Sequence, residues 1–201
     1  MHKRFIKLNL NIEKIFYAQL IYYYFGHSMQ IRKTTMNDIE PVMTIIFQAQ
    51  QQFKNLGTGQ WQNDYPNKET IAIDISRGES YVMVNQEEIV ATIAIQIGYD
   101  DEYDMNHWRW PSSRYLIIHR LAVAESMKGY GLATQLMHFA QALGCKHGVS
   151  DFKLDTYQGN HAMQRLLLKL GFIDCGTMTL PNEHRRVMFQ KLLASIESPK
   201  K

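Results

Sequence analysis

The spacing of apolar positions changes period repeatedly between residues 30 and 192, and each change marks an element boundary. Gln30–Lys33 reads as a short strand. Thr35 and Asp38 form a capping pair, after which an apolar pattern of helical period runs to about Phe53. Asn55–Tyr65, carrying Gly57, Gly59 and Trp61, reads as a loop. Asn67 is placed to cap a second helix ending near Gly78. Ser80–Val84 and Ile89–Ile97 flank a turn at Asn85–Glu88 and give a hairpin signal. Tyr99–Ser113 is a long acidic and aromatic loop, and Tyr115–Val123 is a strongly apolar strand.

The helical period returns from Gly131 to about Lys146, with Leu132, Leu136, Phe139, Ala140 and Leu143 on one face. A short strand fits Phe152–Thr156. Asn160–Leu170 reads as a helix with Met163, Leu166, Leu167 and Leu170 on its stripe, and two last strands fit Phe172–Leu180 and Arg186–Leu192. Strands and helices interleave, but the early hairpin and the late strand pair predict a mixed sheet. The fold class is therefore α+β (α/β mixed), with six to seven strands flanked by about four helices.

A length of 201 residues, 45% hydrophobic and 20% charged, suits one globular domain. No apolar run approaches the ~18 residues of a membrane span. Residues 1–28 differ from the rest: Lys3, Arg4, Lys7 and Lys14 stand against Glu13 alone. That segment accounts for the whole formal charge of +3, and the remaining chain is neutral. A neutral domain has no electrostatic footprint for nucleic acid. The composition of 1–28 favours a start at Met29, with a basic amphipathic surface helix or a genuine extension as alternatives. The domain then spans 29–193, and 194–201 is a polar tail. Two cysteines, Cys145 and Cys175, read as reduced thiols of a cytoplasmic protein. No His/Cys/Asp cluster has metal-ligand spacing, so no metal is expected.

The chemistry concentrates at the strand–loop–helix Leu121-Ala122-Val123-Ala124-Glu125-Ser126-Met127-Lys128-Gly129-Tyr130-Gly131-Leu132-Ala133-Thr134. Two glycines let the backbone approach a ligand, and free N–H groups at the helix start suit a phosphate. An ordinary tight turn would look the same. Neither G-x-x-x-x-G-K-[ST] nor G-x-G-x-x-G fits. The pattern that fits is [R/Q]-x-x-G-x-[G/A], with Lys128 in the first position, then Gly131 and Ala133.

That loop resembles the acetyl-CoA pyrophosphate loop of the GNAT N-acetyltransferase superfamily. A second block, Asp155-Thr156-Tyr157-Gln158-Gly159-Asn160 leading through a helix to Gly171-Phe172, matches the same family. The resemblance covers about 29–193 and implies a splayed sheet in which strand Tyr115–Val123 parts from Phe152–Thr156. It implies acetyl-CoA as cosubstrate. Leu121, Ala122 and Val123 would present backbone groups to its arm, Lys128, Gly129, Tyr130, Gly131, Leu132, Ala133 and Thr134 would wrap the pyrophosphate, and Asn160 would bond the arm or cap its helix. It implies direct attack on the thioester by a small-molecule or peptide amine, with a catalytically weak acetyl-CoA-binding module as the alternative. A homodimer is common in the family.

Two departures matter. Lys128 stands where Arg or Gln is usual. The tyrosine that serves the family as general acid corresponds to Leu167, which lies on an apolar stripe. A neutral amine must still be generated, at a cost of about 4–5 kcal/mol from an alkyl ammonium at pH 7. His119 is the candidate base, because it shares strand parity with Leu121 and Val123. Asp155 is the second candidate. His107, His161 and His184 read as surface residues. Trp61, Tyr65 and Trp108, near the acidic run Asp100, Asp101, Glu102 and Asp104, are candidates to bind a cationic acceptor, or are anchors of their loops.

Overall fold

The computed structural model describes residues 29–104, 108–179 and 185–193. The expectations for residues 1–28 and 194–201, and for His107 and His184, fall outside them.

Seven strands form one open sheet in the order β1-β2-β3-β4-β5-β7-β6. They are β1 (Gln30–Lys33), β2 (Ser80–Asn85), β3 (Glu88–Gly98), β4 (Tyr115–Val123), β5 (Asp151–Tyr157), β6 (Ile173–Thr179) and β7 (Arg185–Leu192). All neighbours are antiparallel except β4 and β5. Among the described residues the α-helices are α1 (Ile39–Asn55), α2 (Lys68–Ser76), the short α3 (Asp101–Asp104), α4 (Leu132–Lys146) and α5 (His161–Lys169). The sequence reading locates every strand and the four longer helices within a few residues. It misses α3, which lies inside the loop read at Tyr99–Ser113.

The two faces of the sheet are covered separately. On one, Leu132, Leu136, Met137 and Ala140 of α4 and Leu167 of α5 pack on Leu116 and Ile118 of β4 and on Phe152 and Leu154 of β5. Gly144 lets α4 approach closely, since a Cβ there would lie 2.8 Å from Leu116. On the other face, Val42, Ile45 and Ile46 of α1 and Ile71 of α2 cover Val82, Ile89 and Ala122. Beside them Tyr103 and Trp108 roof Tyr115 and Ile117.

That roof is anchored by polar groups. Lys153, 2% exposed, points its ammonium at the Tyr115 ring (3.7 Å) and the Trp108 ring (5.2 Å), with Asp151 at 3.7 Å. Gln190 donates to Asp151 (2.9 Å) and to the Trp110 carbonyl (2.7 Å) and accepts from Trp110 N–H (3.1 Å). A buried charge persists only when it is surrounded in this way.

The entry to α1 is set by charge. Asp38 accepts from Arg32 (2.7 and 3.0 Å) and from the Thr35 N–H (2.7 Å) and hydroxyl (2.8 Å). The Arg32 guanidinium and these donors hold its carboxyl at about 2. A depressed carboxylate stabilises the fold above the unfolded pKa near 4 and loses that contribution as pH falls toward 2. Arg32 is partly exposed, so the contribution is discounted to about 1–2 kcal/mol. Urea unfolding of Asp38→Asn should show that loss at pH 7 and a flatter decline between pH 4 and 2. An unchanged acid decline would remove Asp38 from this role.

Candidate active site

β4 and β5 pair only at Leu116–Phe152 and Ile117–Lys153 and then part. Every functional candidate on these strands lies beyond that point. Beyond those two pairs the facing edges of β4 and β5 form no ladder with each other.

On the α4 side the opening meets the glycine loop. Gly129 (φ 85°) and Gly131 (φ 77°) are left-handed, and the direction of a Cβ at either is open space. Gly131 stands at the N-cap of α4, and no side chain caps the helix. Its first-turn N–H groups therefore have neither an intrahelical nor a capping side-chain partner. Leu132 is buried, Ala133 and Thr134 are half-buried, and Tyr130 is exposed. An uncapped positive helix end behind two glycines fits a pyrophosphate. Lys128 is less free than the sequence suggests. Its ammonium pairs with Glu125 and donates to Gln52 of α1 (2.6 Å). Asn160 caps α5 by accepting from Met163 N–H (3.2 Å), and its amide donates to Gln60 (3.3 Å). Leu167, at the position where the resemblance implies a tyrosine, is fully buried.

The strand-parity argument for His119 fails, and the reason is a β-bulge. Ala94 faces His119 while Thr92 faces Ala122, so Arg120 and Leu121 together oppose Ile93. Arg120 takes φ 51°, a left-handed conformation that costs an L-residue about 1–2 kcal/mol. His119 therefore shares the face of Tyr115 and Ile117, whereas Leu121 and Val123 pack with the α4 core. The Arg120 guanidinium grips Asp74 of α2 with two bonds (2.6 and 2.7 Å) and donates to the Tyr65 hydroxyl (2.9 Å).

His119 is also ill suited to act as a base near neutral pH. Burial, with Arg120 and Arg186 nearby, pushes its pKa down to about 3. The imidazole is neutral at working pH and is a poor proton store. Asp155 lies on the same face, two residues past the last β4–β5 pair. Its Oδ1 accepts from the Tyr103 hydroxyl at 2.6 Å, and Arg186 Nε stands 2.8 Å from its Oδ2. That ion contact lacks hydrogen-bond geometry, so Oδ2 is buried without a donor. Burial and the Asp155 charge raise the Tyr103 pKa well above its ordinary value, so Tyr103 stays a donor. The sequence reading passed over Tyr103; its signal was an aromatic residue inside an acidic run.

The aromatic candidates separate. Trp108 is 9% exposed and donates to the Tyr103 carbonyl (2.7 Å), so it is a core anchor and does not face an acceptor. Trp61 packs edge-on to Phe53 of α1 at 5.4 Å, again as an anchor. Tyr65 is 45% exposed, and its hydroxyl accepts from Arg120 at the bulge. His161 is exposed. Among the described residues no group of three or more His, Cys, Asp and Glu could hold a metal ion, and no helix is long and apolar enough to cross a membrane.

The acetyltransferase (GNAT) family model matches residues 46–172. A GNAT-family acetyltransferase from Streptococcus agalactiae is 33% identical, with TM-score 0.73, over 82% of this chain and 95% of its own. A GNAT-family acetyltransferase from Listeria monocytogenes shares the fold at 20% identity and TM-score 0.64, over 84% and 96%. Comparison with curated proteins finds no match.

The His119 assignment is open to direct measurement. Its imidazole nitrogen shifts should stay those of a neutral ring from about pH 5 to 9. Because the unfolded histidine protonates near 6.5 and the folded one does not, this residue should also lower stability as pH falls from 6.5 toward 3. A titration midpoint near 6.5 in the folded protein would restore it as a base.

Proposed function

The chain belongs to the acetyltransferase (GNAT) family, and on that premise we propose that it transfers the acetyl group of acetyl-CoA to a primary amine by direct attack in a ternary complex. The observation that carries this reading is the parted β4–β5 gap. An uncapped helix end and two glycines stand at one of its faces, and Asp155 with His119 stands at the other. Acetyl-CoA supplies an activated thioester. Gly129–Thr134 would hold its pyrophosphate through backbone N–H groups, Asn160 its arm, and the Leu121–Val123 backbone the acyl end.

The acceptor is a small-molecule or peptide amine reaching the gap from the Tyr65 side. Neutral His119 orients it by accepting one N–H. Asp155 Oδ2 receives the proton released as the C–N bond forms, while Tyr103 and Arg186 hold that carboxylate in place. No side chain at Leu167 can protonate the departing thiolate. A thiol has a pKa near 8.5, so it leaves as the anion and takes its proton from water.

Two outcomes follow. Replacing Gly131 by Val forces a β-branched residue to φ 77° and puts atoms into the open space before α4. Acetyl-CoA affinity measured by calorimetry should fall roughly tenfold or more while the protein stays folded. Undiminished affinity would sink the pyrophosphate assignment. Thiol release with a panel of primary amines tests the proton route. Asp155→Asn should lower kcat/KM about 10²–10⁴-fold. His119→Gln should cost far less, and neither profile should carry a limb near pH 6.5. The reverse ranking would transfer the role to His119.

A further inference from the structure

We infer that the Arg120–Asp74 ion pair, braced by Tyr65, is a positioning device that sets the direction of the Leu121–Val123 backbone N–H groups. The inference rests on the acetyl-transfer reading, in which those groups meet the acyl end of acetyl-CoA.

Two independent features of one residue carry it. The first is conformational. Arg120 is the left-handed residue of the bulge, a place that glycine fills without strain. The strand's alternative is to drop the bulge and pair regularly with β3. A shift of one residue reverses which face each following side chain takes. Leu121 and Val123 would leave the α4 core, and their N–H groups would turn with them.

The second feature is what holds the residue. All three bonds of the guanidinium reach outside β4, two to Asp74 on α2 and one to Tyr65 in the loop before it. The side chains of Arg120 and Asp74 are 12% and 4% exposed. Asp74 sits on a helix whose start is fixed by the Asn67 cap (Thr70 N–H to Asn67, 3.0 Å). The far end of the Arg120 side chain is thus pinned to a separate layer of the fold. A planar fork matched to a carboxylate fixes orientation as well as distance. A strained residue persists where its surroundings over-determine it, and here they do so beside the gap.

Comparing Arg120→Ala with Arg120→Gly separates positioning from stability. Both lose the same pair and leave the same Asp74, but only glycine accepts the left-handed φ. Amide spectra of the Leu121–Val123 segment are recorded with CoA and with acetyl-CoA, which differ only by the acetyl group. In the wild type at least one of these amides should shift differently with the two. Arg120→Ala should abolish that difference while binding both probes within about tenfold of wild type, and Arg120→Gly should keep it. Persistence of the difference in Arg120→Ala, or its equal loss in both variants, overturns the inference. A wild type that binds neither probe, or binds both without a difference, overturns the acetyl-transfer reading instead. Should Arg120→Ala not fold, Asp74→Asn takes its place and should lose the difference. If neither folds, the pair serves the fold alone and the inference is overturned.

Discussion

Two backbone pairs between β4 and β5 hold the sheet together at its centre, and the strands' refusal to pair further organises everything else. A parallel pair needs a crossover connection, supplied by α4. Because that crossover starts at Gly131, the uncapped end of α4 falls beside the gap. The same parting puts His119 and Asp155 across from each other on one face, each two residues beyond the last pair.

The electrostatics around the gap are nearly self-compensating. Arg120 is matched to Asp74 and Arg186 to Asp155. Tyr65 stays exposed, and burial keeps the His119 imidazole neutral. In the acidic and aromatic loop read as a candidate for a cationic acceptor, Trp108 turns inward.

The fold was legible in the sequence because its signals are local. Asn67 and Asn160 cap the helices they precede. The stripes through Leu136 and Leu167 face the core, and the two glycines before α4 take the left-handed angles their chemistry allows. The acceptor side was less legible because it depends on tertiary facts. Counting alternate residues along β4 is sound until a bulge intervenes, and nothing in His119-Arg120-Leu121 marks one, since the left-handed residue is an arginine. The pKa of His119 depends on layers distant in sequence. Trp108 reads as a loop aromatic because Lys153, whose ammonium it covers, is distant in sequence.

Lys153 bears on a hazard that any handler of activated acyl groups faces. A thioester held next to a lysine invites transfer to the protein's own side chain. Lys153 lies on β5, two residues from Asp155, yet its amine is sealed beneath Trp108 and Tyr115. On the acetyl-transfer reading, the aromatic roof over Lys153 would also keep the enzyme from acylating itself at that lysine.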